Sequence, residues 1–423
     1  MKNLFFCILC LTLLIACGDD NKSSGNVDYN PNIPVEVTTF MPDSGRIREK
    51  VIIKGSNFGS NKSNVQVFFK DELTERKATV VGVDNNTIYC LAPRQNAGDN
   101  YIKVVVNEKD ITTSKTFHYT IAENVSTVAG SPAIKGKIDG SLTDARFDYL
   151  QGVGALDNES MLVFHRDDPS VRYVSVPDNT VITVQNGFQA GKPAVNKSKT
   201  RVYATGQTQP HTIYMYTKDS GWSPSRIGQL GTIVAGEVRA LALDDTEQWL
   251  YFCDANGKFG RFNIGNQELQ ILNEKVRDGS SSVSYLIYSP VEDCFYWSAQ
   301  AAYGIYKISK DGQTVTAFAG FNGNAVLDGY LDECKFAQPN GMTVDEDGNI
   351  YVVEGHGGHV IRKISIIDGY VSTIAGIVNK GGNLDGNPKE SIFNYPYDIA
   401  NDGQGNFWIV EGWGMCVRKY AVE

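Results

Sequence analysis

Apolar and polar residues alternate along most of the chain in short runs that end at glycine or asparagine turns, a pattern typical of β-strands. The stretch from Asn340 to Gly376 contains four such runs, and the stretch from Tyr397 to Glu423 repeats their order. In this repeat, "GNIYVVE" at 348–354 corresponds to "GNFWIVE" at 405–411. Self-similarity of this kind predicts a repeated unit of four antiparallel strands.

Related lead-in segments precede three of these units: "IDGSLTDARFDYLQGV" at 138–153, "LDGYLDECKFAQPNGM" at 327–342 and "LDGNPKESIFNYPYDI" at 384–399. With weaker units between them, the pattern predicts six, at 147–184, 188–230, 238–272, 281–320, 336–376 and 393–423. The last unit lacks an outer strand, whereas "VSTVAG" at 125–130 is an outer strand without a unit. We therefore expect these two segments to pair.

These motifs resemble the NHL repeat, whose four-stranded units are the blades of a β-propeller. The resemblance implies a six-bladed propeller over 122–423, closed into a ring by strand 125–130 so that no sheet edge remains exposed. One aromatic residue recurs in the second strand of five blades and is expected to pack between blades. These residues are Tyr203, Tyr251, Tyr296, Tyr351 and Trp408.

Segment 33–121 has a different pattern, with alternating strands such as "VIIKGSNFG" and "TIYCLAP" between turn clusters, which predicts a small β-sandwich. It resembles the IPT/TIG family of immunoglobulin-like domains, which implies a spacer or docking module. The predicted fold class is thus all-β, an immunoglobulin-like β-sandwich followed by a six-bladed NHL-type β-propeller.

The first residues form an apolar run from Leu4 to Ile15 that ends in "LIAC", which predicts a signal peptide over 1–16 that is too short to span a membrane. Its end resembles the bacterial lipobox, which implies lipidation of Cys17. Residues 17–32 are polar and predict a flexible tether. The pair Asp19-Asp20 resembles the export signal of Bacteroidota surface lipoproteins. We expect a protein anchored to the outer membrane through its lipid alone and exposed at the cell surface.

Composition narrows the possible partners. The 42 glycines and 21 tyrosines suit a turn-rich all-β chain, and the formal net charge of −9 without a basic run argues against nucleic acid. Five cysteines follow Cys17, an odd number without C-x-x-C spacing, so neither a zinc site nor a disulfide framework is indicated.

Candidate ligand contacts lie in the loops between the second and third strands, which are expected to share one face of the ring with the lead-in segments. The loops differ in content, from "FHRDDPSV" and "TGQTQPHT" to "EGHGGHV" and "EGWGMCV". Positions that differ between repeats at one rim are free to serve a ligand. Four of the five histidines fall in these loops, as His165, His211, His356 and His359, and Trp413 stands where the fifth blade has His356.

A binding module is the first of two functions that fit this face. Trp413 and Tyr303 would stack on a ligand, with Tyr395 and Tyr397 beside them, because flat aromatic faces suit the apolar side of a sugar ring. The expected polar partners, apart from the histidines, are Gln300, Arg166, Glu354 and Glu411. The resemblance to Bacteroidota lipoproteins implies a glycan or other nutrient as ligand and an outer-membrane importer complex as a possible partner, with no cofactor.

A metal-assisted hydrolase or lyase is the alternative, by resemblance to gluconolactonase-like propellers and the peptidylglycine amidating lyase. It would use His165, His211 and His356 as ligands of a divalent metal on the axis, with Glu354 or Glu411 as base. No G-x-S-x-G, H-E-x-x-H or P-loop motif adds support. Protein docking is a third possibility. Binding is favoured because the enzyme needs three side chains from three blades to converge.

Overall fold

A computed structural model describes residues 28–157, 159–279, 281 and 283–422. The predicted signal peptide, Cys17 and most of the tether lie outside these residues. The chain forms two compact units, one that ends at Thr120 and one that spans Ile121–Glu423. Helical structure in the described residues is limited to three short 3-10 turns, at Lys62–Asn64, Lys218–Ser220 and Gln300–Ala302. None of the helices found there has the length and apolar character needed to cross a membrane.

The N-terminal unit is a sandwich of two β-sheets. One sheet contains, in spatial order, Glu36–Met41, Lys50–Ser56, Thr87–Leu91 and Thr79–Asp84. The other contains Ser44–Gly45, Lys109–Tyr119, Gly98–Val106, Val65–Lys70 and Glu75–Lys77. Alternate residues of Val65–Lys70 are buried, as expected for a strand with one face on the core. Ile53, Phe69 and Phe117 are fully buried between the sheets.

The second unit contains six sheets, which we number as blades 1 to 6. Blade 1 consists of Leu150–Ala155, Ser160–His165, Ser170–Ser175 and Thr180–Asn186, and blade 2 of Ala194–Val195, Arg201–Thr205, Thr212–Thr217 and Pro224–Gln229. Blade 3 consists of Ala242–Leu243, Trp249–Cys253, Phe259–Asn263 and Leu269–Asn273, and blade 4 of Ser284–Ser289, Cys294–Ala299, Gly304–Ser309 and Val315–Gly320. Blade 5 consists of Pro339–Val344, Ile350–Glu354, Val360–Ile364 and Tyr370–Ala375, with Gly329–Tyr330 outermost, and blade 6 of Pro396–Asn401, Asn406–Glu411, Val417–Val422 and Glu123–Ala129.

The blades form a closed ring. The innermost strand of each blade contacts that of the next, and the cycle returns from blade 6 to blade 1. Strand Glu123–Ala129 pairs antiparallel with Val417–Val422, with Val125 opposite Tyr420, so a segment from before blade 1 completes blade 6. The predicted fold class, an all-β chain with a six-bladed propeller, is confirmed.

Hydrophobic clusters fill the spaces between neighbouring blades. Tyr351 of blade 5 lies 4.2 Å from Phe407 of blade 6, centroid to centroid, and Tyr251 of blade 3 lies 4.4 Å from Phe295 of blade 4. All five aromatic residues predicted to pack between blades are buried: Tyr203, Tyr251, Tyr296, Tyr351 and Trp408. The prediction of a packing role is confirmed, and these rings are not available to a ligand.

Glycine allows the inner strands to approach closely at the axis. A Cβ atom on Gly152 would lie 2.1 Å from the carbonyl oxygen of Gly191, and one on Gly341 would lie 2.5 Å from Cα of Asp398. No side chain fits at such distances. The blades therefore meet backbone to backbone around a narrow centre.

Candidate functional site

The residues that begin each inner strand and end each second strand lie at one end of the propeller, which we call the loop face. Antiparallel pairing brings them together, since Leu150 is opposite His165 and Pro396 is opposite Glu411. The lead-in segments and the loops between second and third strands therefore meet there, as the sequence predicted.

Four aromatic side chains from blades 5, 6 and 1 form what we call the aromatic rim of this face: Tyr149, His356, Tyr395 and Trp413. The ring of Trp413 stacks on that of Tyr395, with centroids 4.6 Å apart and planes 25° apart. Tyr149 meets Tyr395 edge-on at 6.0 Å, and His356 meets Trp413 edge-on at 5.6 Å. Trp413 is 44% exposed, so a large flat ring is presented to solvent on a support of other rings.

Two loop glycines make room for this arrangement. A Cβ atom on Gly412 would lie 2.6 Å from Cζ of Tyr149, and one on Gly355 would lie 3.3 Å from Cζ of Tyr395. In each case a lead-in tyrosine from the next blade crosses directly over the loop. Close packing of a lead-in aromatic thus explains the glycine at 412, whereas at 355 the amide nitrogen of Asn340, 2.5 Å from the same Cβ position, is the nearer contact.

Tyr395 is held in a strained backbone conformation, with φ at +62°. Its N–H donates to Nδ1 of His359 at 3.2 Å. His359 is buried, and burial lowers the pKa of its ring, which favours the neutral acceptor form. His359 therefore positions the rim from beneath and does not face a ligand, contrary to the sequence prediction.

A polar network lies beside the aromatic rim, centred on Arg239 in the lead-in of blade 3. Its Nη2 donates to Glu237 at 2.7 Å, and its Nη1 donates to Gln151 and to the hydroxyl of Tyr397, both at 3.3 Å. With its amide oxygen turned toward the guanidinium, Gln207 accepts from Nε of Arg239 at 2.9 Å. Glu237 is the accessible member, with 39% of its side chain exposed.

Tyr397 joins the two halves of the face. Its ring lies 5.5 Å from that of Tyr395 and 5.4 Å from that of Tyr149, while its hydroxyl accepts from Arg239. The sequence suggested that Tyr397 lies beside the stacking residues. Its side chain is instead buried and forms the floor beneath the rim.

Other predicted contacts differ in exposure. Arg166 is exposed and its guanidinium lies 4.9 Å above the ring of Tyr149, which places it on the loop face beside the rim. Gln300 is half-buried and donates to Gln338 at 3.1 Å and to Asn340 at 3.0 Å. Tyr303 is also half-buried, and none of the ring contacts that build the aromatic rim involves it.

Glu354 and Glu411, predicted to contact a ligand or act as base, are instead fully buried in ion pairs. Nη1 of Arg362 lies 2.6 Å from Glu354, and Nη1 of Arg418 lies 2.9 Å from Glu411. Burial raises the pKa of both carboxyl groups, although the arginines oppose the shift. These carboxylates hold the second and third strands of their blades together and are closed to a substrate.

The predicted metal ligands do not come together. His165 is fully buried, and its pKa is lowered by burial to about 3. His211 is also buried, with its ring nitrogens 3.0 Å and 3.1 Å from the carbonyl oxygens of Gly206 and Val234. Of these three predicted ligands, only His356 is exposed. Across residues 28–422, apart from the three undescribed internal positions, no three His, Cys, Asp or Glu side chains are grouped as a metal site requires.

An ion pair closes the axis beneath the polar network. Lys192 of blade 2 reaches Asp398 of blade 6, with Nζ 3.1 Å from the carboxylate and 2.7 Å from the carbonyl oxygen of Ile399. Asp398 also accepts from the N–H of Val153 at 2.9 Å, and burial raises its pKa to about 6. This ion pair therefore joins blade 2 to blade 6 across the axis.

Several members of the site were absent from the sequence prediction. Tyr149 occupies the same place in its lead-in, "RFDYLQGV", as Tyr395 does in "IFNYPYDI", and that match was a usable signal. Glu237 and Arg239 lie in a lead-in that has lost the motif, so the sequence offers no comparable signal for them. These two residues belong to the site because closure of the ring brings their lead-in segment to the same face as the aromatic rim.

Comparisons with known proteins agree with this architecture. The family model for the IPT/TIG domain matches residues 34–119. A crystal structure of a Bacteroides thetaiotaomicron protein of unknown function is 53% identical in sequence, with a TM-score of 0.89, over 94% of this chain and 100% of that chain. The chain belongs to the same family as that protein.

More distant structures share the fold of this family. An auxiliary nutrient binding protein from Bacteroides ovatus is 20% identical, with a TM-score of 0.61, over 94% of this chain and 100% of that chain. A putative phosphatase from Bacteroides thetaiotaomicron is 18% identical, with a TM-score of 0.60, over 94% of this chain and 99% of that chain. No protein of curated function matches the chain.

Proposed function

We propose that the protein binds a glycan, or another nutrient with a similar mixture of apolar and hydroxylated faces, on the loop face of its propeller. The observation that carries the proposal is the exposed stack of Trp413 on Tyr395 beside the polar network of Arg239. A sugar ring needs a flat apolar surface for one side and hydrogen-bonding partners for its hydroxyl groups.

The division of the face between blades supports this ligand class. Blades 5, 6 and 1 supply the aromatic rim, whereas blades 2, 3 and 4 supply the polar side chains of Gln207, Glu237 and Gln300. A ligand placed across the axis would therefore meet rings on one side and amide or carboxylate groups on the other. Most of these groups are already oriented by hydrogen bonds, which lowers the entropic cost of binding.

The proposed location is the outer membrane, with a lipid on Cys17 as the only membrane contact and the domains at the cell surface. The apolar run that ends in "LIAC" motivates this anchor. Two auxiliary nutrient binding proteins of Bacteroides share the fold, which favours a role auxiliary to nutrient uptake, with an importer complex as partner. We also assign the propeller to the NHL type on the motifs at 371–376 and 405–411.

The metal-assisted hydrolase or lyase has weaker support. Two of its three proposed ligands are buried and its two candidate bases are held in ion pairs. Protein docking would use the same exposed rim, and it is the outcome to be distinguished by experiment.

The test is a calorimetric titration of the protein without its signal peptide against a panel of oligosaccharides, with and without chelator. Replacing Trp413 with Ala should weaken binding about 5- to 30-fold, which corresponds to about 1–2 kcal/mol of lost stacking and burial. Chelator should make no difference.

Trp249→Ala is the matched control, because Trp249 begins the second strand of blade 3 and so lies at the opposite end of the propeller, over Arg261. It should bind as the wild type does. Equal affinities of the Trp413→Ala variant and the wild type for every oligosaccharide in the panel would contradict the proposal and favour protein docking.

A further inference from the structure

A cavity opens on the end of the propeller opposite the loop face, which we call the far face. Its volume is about 280 Å³, near the lower end of the roughly 300–1,000 Å³ typical of small-molecule sites. Residues of blades 1, 2, 5 and 6 line it, among them Lys192, Lys197, Lys199, Thr343 and Asn401. The cavity is separated from the loop face by the ion pair of Lys192 and Asp398.

The walls of this cavity are positively charged, although the whole chain has a net charge of −9. Lysine accounts for three of the lining residues, and no acidic residue is among them. Lys192 is neutralised by Asp398, and Lys197 pairs with Asp245 at the surface at 2.9 Å. The remaining cation is Lys199.

Lys199 has lost water without gaining a carboxylate in direct contact. In the described part of the chain its ammonium donates to the carbonyl oxygen of Asp402, and no ion pair includes it. The carboxylate of Asp402 accepts from the N–H groups of Gln404 and Asn406 instead, at 2.7 Å and 3.1 Å. Burial lowers the pKa of Lys199, although Asp402, Asp157 and Glu346 favour its charged form from farther away.

The lysine retains capacity for a further acceptor. An ammonium group carries three N–H donors, of which one is used by the carbonyl of Asp402. On the wall of the cavity, the hydroxyl of Thr343 accepts from the N–H of Asn401 at 3.2 Å, which leaves its own proton to donate. A negatively charged oxygen near both groups would compensate the half-buried cation and satisfy both donors.

We infer that the far-face cavity binds a small oxyanion, a phosphate or a carboxylate, with Lys199 as its main charged partner and Thr343 as a second donor. The size of the cavity restricts the ligand to a small one, and the positive charge of Lys199 favours an anion. This site shares none of the side chains of the aromatic rim or of the Arg239 network.

The inference is tested by calorimetric titration of the wild type with inorganic phosphate and, separately, with succinate, in a buffer of low ionic strength without competing oxyanions. Saturable one-site binding of either anion is expected, and the two titrations distinguish phosphate from carboxylate. Lys199→Met, which keeps the apolar stem and removes the charge, should weaken binding at least 10-fold.

Lys197→Met is the matched control, because Lys197 is exposed and already paired with Asp245, and it should retain binding. Thr343→Val preserves volume and removes the hydroxyl donor, so its affinity for the anion should fall 3- to 10-fold. This variant tests the inference even if Lys199→Met fails to fold. Absence of binding to both anions in the wild type would overturn the inference, as would equal affinities for the wild type and a folded Lys199→Met variant.

Discussion

The last residue of the second strand has different neighbours in different blades. In blades 5 and 6 it is a glutamate paired with arginine, Glu354 with Arg362 and Glu411 with Arg418. In blade 1 the same position is His165, and the corresponding arginine, Arg172, keeps only the aspartate pair, with Asp139 at 2.7 Å, that Arg362 and Arg418 also make. Within the described residues, neither ring nitrogen of His165 has a hydrogen-bond partner.

This histidine makes stability depend on pH. Its pKa is about 3 in the folded protein against an ordinary value of 6.5, so the unfolded chain binds more protons between these values. Stability is therefore lost as pH falls from about 6.5 toward 3, by an amount on the order of 5 kcal/mol from this group. Replacing His165 with Leu should remove this dependence, as measured by urea unfolding of both proteins from pH 7 to pH 4.

Because the two nitrogens lack partners, the Leu variant should be at least as stable as the wild type at pH 7. His165→Gln, which keeps a polar group but does not titrate, is the control and should show the same flattened profile. If both variants lose stability with acid in parallel with the wild type, His165 is not buried in its neutral form.

At the scale of elements, the stability of the whole propeller depends on the strand that closes the ring. Glu123–Ala129 supplies the outer strand of blade 6, and Val125 is fully buried against Tyr351, Ile409 and Tyr420. Its ladder bonds and buried side chains are lost together if the strand is removed. Each bond contributes about 1 kcal/mol and a buried valine about 2 kcal/mol.

Deleting the chain through Gly130 should therefore lower the thermal midpoint of the propeller by 10 °C or more and broaden its transition. Deletion only through Thr120, where the first compact unit ends, should leave the propeller's midpoint unchanged. Differential scanning calorimetry compares the two. Closure by this strand would be refuted by equal midpoints.

The elements were largely predictable because period-two alternation and repeated turns report directly on strands. The six units, the aromatic packing positions and the outer strand at 125–130 all followed from self-similarity. What periodicity could not show is where the last residue of a strand points. Glu354 and Glu411 were expected to face a ligand, yet each lies inside its blade because the arginine of the next strand donates to its carboxylate there.

At the scale of the whole molecule, the two faces of the propeller differ in chemistry. The loop face combines exposed rings with polar side chains, whereas the far face carries a lysine-lined cavity. The sequence indicated the loop face through its divergent loops, but Arg239 and Glu237 gave no signal because their lead-in has lost the motif. Which residues meet at an axis is decided by ring closure, a property of the whole chain.

Anchoring is the prediction that belongs to this scale. A lipid on Cys17 would hold both domains at the membrane, and several acyl chains retain a protein far better than one. Cys17→Ala should move the protein from the membrane fraction to the soluble fraction, as measured by immunoblot of separated cell fractions. Ser24→Ala in the predicted tether is the control and should remain with membranes. Membrane retention of the Cys17 variant would contradict lipidation.

Ligand binding on the loop face is the central claim of this account. The most direct measurement is a crystal structure of the protein with the oligosaccharide that binds most tightly in the calorimetric panel. We predict density for a sugar ring against the exposed face of Trp413, with hydroxyl groups toward Glu237 and Arg166. Density for the ligand only on the far face, on the β-sandwich or at the outer edges of the blades would contradict the claim.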